Sequence, residues 1–253
     1  MTNFSNYRDR FPNARLTRSD TGVLEIALHT NGNSLVFNGQ THEQFVDLFH
    51  DVGQDPDNRV VILTGTGDAF MEEFSPDGIE FSPQGYNKIF RDGRKVLMNI
   101  LDIEVPMISA VNGPTRVHSE YVLLTDIVLA TPETVFQDKP HLGMGVTAGD
   151  GVNLMWPEVI GSVRGRYFIL TRQELDAATA KEWGAVNEVV PREALLPRAH
   201  EIADTLAALP NLTTSYARIA LTQKLRRIID AGVGYGLALE GISALEVART
   251  QGA

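Results

Sequence analysis

Apolar positions along the chain follow two alternating patterns. Short β-rich runs at Val23–Leu28, Val60–Thr64, Met107–Val111 and Asp126–Ala130 are bounded by Gly, Pro, Asn or Asp and predict buried strands. Between them the apolar spacing changes to three and four. In 41–54, Phe45, Leu48, Phe49 and Val52 share one face, and Thr41 with Gln44 forms a capping box, so a helix is predicted there. Strands alternating with helices indicate an α/β fold. From about Ala194 the strand signal fades and three helical stretches follow, 194–209, 221–230 and 233–249. The expected division is an α/β core over 1–190 and a helical region over 191–253, packed on that core or on a neighbouring subunit.

Composition narrows the chemistry. A chain of 253 residues with 43% hydrophobic content can bury one substantial core. It contains no Cys, which removes disulfides, thiolate metal sites and cysteine nucleophiles. Residues 1–16 carry Arg8, Asp9, Arg10 and Arg15 without the apolar stretch of a targeting segment, and no apolar run reaches the roughly 18 residues of a membrane span. A soluble, cytoplasmic protein with no membrane partner is expected. With 32 acidic against 22 basic residues the net charge is −10, which opposes binding to nucleic acid. Neither a His-Glu-x-x-His spacing nor a full glycine-rich dinucleotide turn occurs, Gly65-Thr-Gly67 being too short, so no metal and no cofactor are expected.

Three stretches resemble the crotonase (enoyl-CoA hydratase/isomerase) superfamily. They are Val105–Gly113 with Thr125–Ala130, Phe136–His141 running into Gly149–Gly151, and Leu170–Pro191, the strongest of the three as a fold marker. The resemblance implies a crotonase-type ββα spiral core with a C-terminal helical trimerisation region, and a homotrimer or dimer of trimers. The departures from the family carry the functional information. Hydratases of the family have a proline–glutamate pair where this chain has Pro140 and His141, so a base with a reference pKa of about 6.5 replaces one of about 4.3. Nine residues on, Asp150 stands where the family has a small apolar residue. The segment from Pro114 to Glu120 replaces a glycine-rich helix start, is one residue shorter than the usual spacing to Asp126, and places His118 near the pocket. In Phe70–Ser75, Glu72 and Glu73 occupy the stretch of the family's first oxyanion donor and suit coenzyme A phosphates poorly.

Together His118, His141, Asp150 and Glu240 resemble the 6-oxocamphor hydrolase group, which cleaves β-diketones by a retro-Claisen reaction without coenzyme A. His42 fits the same group, whereas Phe37 stands where that group carries Trp. The implied substrate is a cyclic or bicyclic β-diketone and the product a keto acid. The chemistry suits these residues: His141 removes a proton from water, Asp150 holds the imidazole, and His118 donates to the enolate oxygen. Glu240 shares a helical face with Val233, Leu237, Ala244 and Val247, which turns the acid toward the apolar side. Substrate contacts are expected from Phe37, His42, Glu72, Phe74, Phe81 and Trp156.

Each residue also has an ordinary role to weigh. Asp150 is a suitable cap for a helix beginning near Gly151, His42 fits core packing, His118 could bond a backbone carbonyl, and Glu72 with Glu73 fits a solvated loop. His29, His50 and His200 have no supporting context and are read as structural. Two other functions stay open: an acyl-CoA hydratase, isomerase or thioester hydrolase, and a non-catalytic crotonase-fold binding protein.

Overall fold

The computed structural model describes residues 3–251. In chain order the elements are α1 (Phe4–Tyr7), β1 (Ala14–Arg18), β2 (Val23–Leu28), β3 (Val36–Phe37), α2 (Gly39–Gly53), β4 (Val60–Gly65), β5 (Glu73–Phe74), α3 (Pro83–Asp102), β6 (Met107–Val111), α4 (Glu120–Leu123), β7 (Ile127–Ala130) and β8 (Val135–Phe136). They continue with α5 (Val152–Ile160), α6 (Ser162–Thr171), β9 (Leu175–Asp176), α7 (Ala177–Glu182), β10 (Glu188–Val189), α8 (Arg192–Ala207) and α9 (Asn211–Gln251). Six strands form one sheet in the order β1-β2-β4-β6-β7-β10, with β1 antiparallel to β2 and the rest parallel. Two small pairs, parallel β3-β5 and antiparallel β8-β9, lie outside it.

The mostly apolar strand runs have a simple cause. Alternate residues of each strand enter different cores: Val23, Val60, Ile62, Ile108, Ala110 and Leu129 meet Leu195, Ala199 and Ala203 of α8. Their neighbours Leu24, Ile26, Val61, Leu63, Met107 and Val111 join the larger core with α2 and α3. Both faces are covered, so polar residues on them are few.

Two expectations are corrected. The capping box of α2 is made by Asn38 and Thr41, not by Thr41 and Gln44: Asn38 Oδ1 accepts from Thr41 N at 3.0 Å, and Asn38 N donates to Thr41 Oγ1 at 2.7 Å. The two helices read over 221–230 and 233–249 are one helix of 41 residues that begins at Asn211. Gly232, Gly236 and Gly241 are close-contact points within it rather than breaks. A Cβ on Gly236 would lie 2.3 Å from the Gly149 carbonyl oxygen, so two bare backbones touch there. Arg218, 3% exposed, fastens the same helix by pairing with Asp126 at 2.8 Å and donating to the Ile103 carbonyl. By length and composition α9 would also be long enough to cross a membrane, a property it shares with core helices of soluble proteins.

Candidate active site

A cavity of about 210 Å³ opens between α2, α3, α9 and the loops after β6 and β8. Phe37, Phe74, Phe81, Tyr86, Met144 and Val146 supply apolar wall, and His42, His118, His141, Asp150 and Glu240 reach into it. Of the candidates read from the sequence, Phe37, His42, Phe74, Phe81, His118, His141, Asp150 and Glu240 therefore meet at one place. Two do not. Trp156 is fully buried among Phe136 and Phe168, and its indole N–H donates to Ser119 Oγ at 2.8 Å, so it braces the loop behind His118 instead of touching the cavity. Glu72 lies outside the cavity and accepts from Arg116 at 3.1 Å. Part of the stretch expected to supply oxyanion donors is spent on strand pairing, the Ser75 amide donating to the Phe37 carbonyl at 2.8 Å.

His118 is held in a backbone conformation that few side chains tolerate, with φ of 45°. Its ring lies 4.2 Å from that of Phe37 and stacks on Tyr121 at 4.9 Å. Its Nδ1 donates to Glu120 Oε1 at 2.8 Å and lies 3.2 Å from Asp150 Oδ2. The opposite ring nitrogen is thereby left for a ligand. His141 sits at the head of a single 3-10 turn, Leu142–Met144. Its Nδ1 donates to Asp138 Oδ1 at 2.7 Å, and its Nε2 is 3.4 Å from Asp150 Oδ2 and 3.8 Å from Glu240 Oε2. Glu240 in turn accepts a 2.5 Å hydrogen bond from the Tyr86 hydroxyl. Asp150 also accepts from the Val152 amide at 3.4 Å, so its place at the start of α5 coexists with its place between the two histidines.

Burial and charge pull these groups apart. Burial works against a charged ring at His141, but the carboxylates of Asp150, Asp138 and Glu240 outweigh it and hold the imidazole well above the ordinary histidine range. His118 is raised in the same way, burial being overcome by Glu120 and Asp150. Asp150, despite burial, is held below the usual carboxylate range by His141 and His118. Burial first, then the Asp150 charge, pushes Glu120 up to about 7. Glu240 also rises to about 7, chiefly through burial. His42 falls to about 4 through burial and then the charge of His118, and is a neutral ring on the cavity wall. Two triads of donor atoms, His118–Glu120–Asp150 and His141–Asp150–Glu240, are close enough to ligate a cation and share Asp150.

Asp138 and Glu120 escape a reading of the sequence. Asp138 is signalled only by its position three residues before His141, and Glu120 only as an acid at the head of the apolar run Tyr121–Leu124.

Comparison with known proteins agrees with the fold and splits on the chemistry. The enoyl-CoA hydratase/isomerase family profile matches residues 18–233. A β-diketone hydrolase from the cyanobacterium Anabaena sp. PCC 7120, bound to (S)-3-oxocyclohexyl acetic acid, is 51% identical with a TM-score of 0.94, over 95% of this chain and 97% of that one. An enoyl-CoA hydratase/isomerase from Mycobacterium paratuberculosis is 27% identical with a TM-score of 0.87, over 96% and 98% of the two chains. The carnitinyl-CoA dehydratase of Citrobacter koseri is 28% identical over 73% of this chain and 70% of its own. The chain belongs to the enoyl-CoA hydratase/isomerase family, the crotonase superfamily, and lies close to a β-diketone hydrolase within it.

Proposed function

We propose that the protein hydrolyses a carbon–carbon bond of a cyclic or bicyclic β-diketone by a retro-Claisen reaction. The observation that carries this reading is the pair of histidines on either side of one Asp150 oxygen, at 3.2 and 3.4 Å, in a cavity whose wall is largely apolar. Water between His141 Nε2 and Glu240 Oε2 loses a proton to the imidazole and adds to one carbonyl carbon. The alkoxide collapses, the carbon–carbon bond breaks, and its electron pair passes to the second carbonyl oxygen as an enolate. His118 donates to that oxygen, and His141 returns its proton to the enolate carbon, giving a ketone and a carboxylic acid. The similar hydrolase holds a keto acid of this kind, a cyclohexanone bearing an acetic acid arm.

Because the carboxylates raise His141, its basic form grows as the pH rises, and the rate should climb through a midpoint above 6.5. The assay is loss of enol absorbance from a panel of bicyclic and monocyclic 1,3-diketones, with the keto acid identified by mass; folded protein that leaves the whole panel intact refutes the reading. The second reading, acyl-CoA chemistry, draws on relatives such as carnitinyl-CoA dehydratase and crotonyl-CoA hydratase, at 28% identity each. Tighter calorimetric binding of crotonyl-CoA than of a free diketone would favour it. A homotrimer or dimer of trimers also remains a proposal, supported by the exposed Leu212, Tyr216, Tyr235 and Ile242 on α9.

A further inference from the structure

His141 meets carboxylates at both ring nitrogens, and the two sides differ. At Nδ1 the Asp138 oxygen lies at 2.7 Å, the length of a charge-assisted hydrogen bond. At Nε2 the Asp150 and Glu240 oxygens lie at 3.4 and 3.8 Å, too far for a strong bond and close enough for one water molecule to reach nitrogen and carboxylate together. Asp138 is 4% exposed and lies outside the cavity wall. Its second oxygen is buried and has no hydrogen-bond partner among the described residues. Such burial is costly for a carboxylate, and the contact it secures is the imidazole N–H.

We propose that Asp138, and not Asp150, is the positioning residue of His141. By accepting the Nδ1 proton it fixes the tautomer that points a lone pair at Nε2 into the cavity. Asp150 is thereby free to act on the cavity side, between the two histidines. The charged and titratable groups facing His141 are Asp138 on its own loop, Asp150 before α5, Glu240 on α9 with Tyr86 of α3 behind it, and His118 across Asp150. Removing the charge of Asp138 leaves the others in place, so its effect can be read separately.

The rate measurement rests on the carbon–carbon hydrolase reading; the tautomer measurement does not. Asp138→Asn keeps the shape, but its amide can either accept from Nδ1–H or donate to a bare Nδ1, so the tautomer is no longer specified. In the full-length protein with 15N-labelled histidine, above the pH midpoint of the ring, the wild type should show His141 protonated at Nδ1 alone, and the variant a mixture of tautomers with the ring titrating at lower pH. With a bicyclic 1,3-diketone, kcat should fall by about 100-fold while KM stays within about threefold, and the pH midpoint should move down. Asp138→Glu, which keeps the carboxylate, should restore the Nδ1 proton and the midpoint, and it takes over as the deciding variant if Asp138→Asn does not fold. An unchanged His141 tautomer and midpoint in folded Asp138→Asn overturns the proposal, as does a wild-type ring protonated at Nε2 alone. If wild-type protein cleaves no diketone, the functional reading falls, and the nitrogen spectra still decide the role of Asp138.

Discussion

The two histidines of the site share Asp150 and differ in what else holds them. His118 owes its place mainly to shape, a left-handed backbone and a ring packed on Phe37 and Tyr121, with both of its acids, Glu120 and Asp150, gathered at Nδ1 alone. His141 owes its place to charge, with Asp138 at one nitrogen and Asp150 and Glu240 near the other. A ring fixed by packing keeps its direction whatever its protonation, which suits a hydrogen-bond donor aimed at a developing oxyanion. A ring surrounded by acids is fixed in direction and also tuned in basicity, which suits a group that takes up and returns a proton.

Removing the proton carrier should have the largest effect. His141→Gln, which keeps a polar group among three buried acids, should lower kcat by about 10³-fold, measured as single-turnover diketone loss. His118→Gln should cost less, about 10²-fold, because hydrogen-bond donation to the oxyanion is lost while proton transfer survives. Equal losses would mean that the two rings act as one unit. Glu120→Gln sharpens the contrast further. Packing still holds the His118 ring, so kcat should fall only about tenfold, and nitrogen spectra should show the His118 pKa moving down as a raising carboxylate is lost.

The smallest effect concerns stability. Glu120 and Glu240, ordinarily near 4.5 and raised in the fold to about 7, contribute stability that is complete below 4.5 and lost as the pH rises through 7. His118 and His141, also raised, contribute stability that is complete below 6.5 and lost at higher pH. Thermal melting points should therefore fall between pH 6 and 9, by several degrees. Glu240→Gln should flatten the fall.

Some of this was legible in the residues and some was not, for physical reasons. Val23–Leu28 and Met107–Val111 were readable as strands because a segment covered on both faces is apolar at nearly every position, with only Glu25 and Ser109 interrupting. The meeting of His118, His141, Asp150 and Glu240 was legible through family resemblance, since nothing local ties Glu240 to a loop ninety residues earlier. Trp156 misled because a large aromatic fits a cavity wall and a core equally well, and only the Ser119 hydroxyl within reach of its indole decides. The division between 221–230 and 233–249 misled because the helix runs straight through Ala231 and Gly232, where the bare glycine lets Leu154 approach closely. Asp138 and Glu120 were invisible because burial and direction, not residue type, set them apart from ordinary surface acids.

The contact between Gly149 and Gly236 has a mechanical consequence. It brings main chain against main chain one helical turn before Glu240 and one residue before Asp150. Nothing in that seam can rotate into a new rotamer, so it works like a shim of fixed thickness between the helix and the turn. The spacing between the two acids and the imidazole is reproduced each time the chain folds, and a single added methyl group would wedge it open.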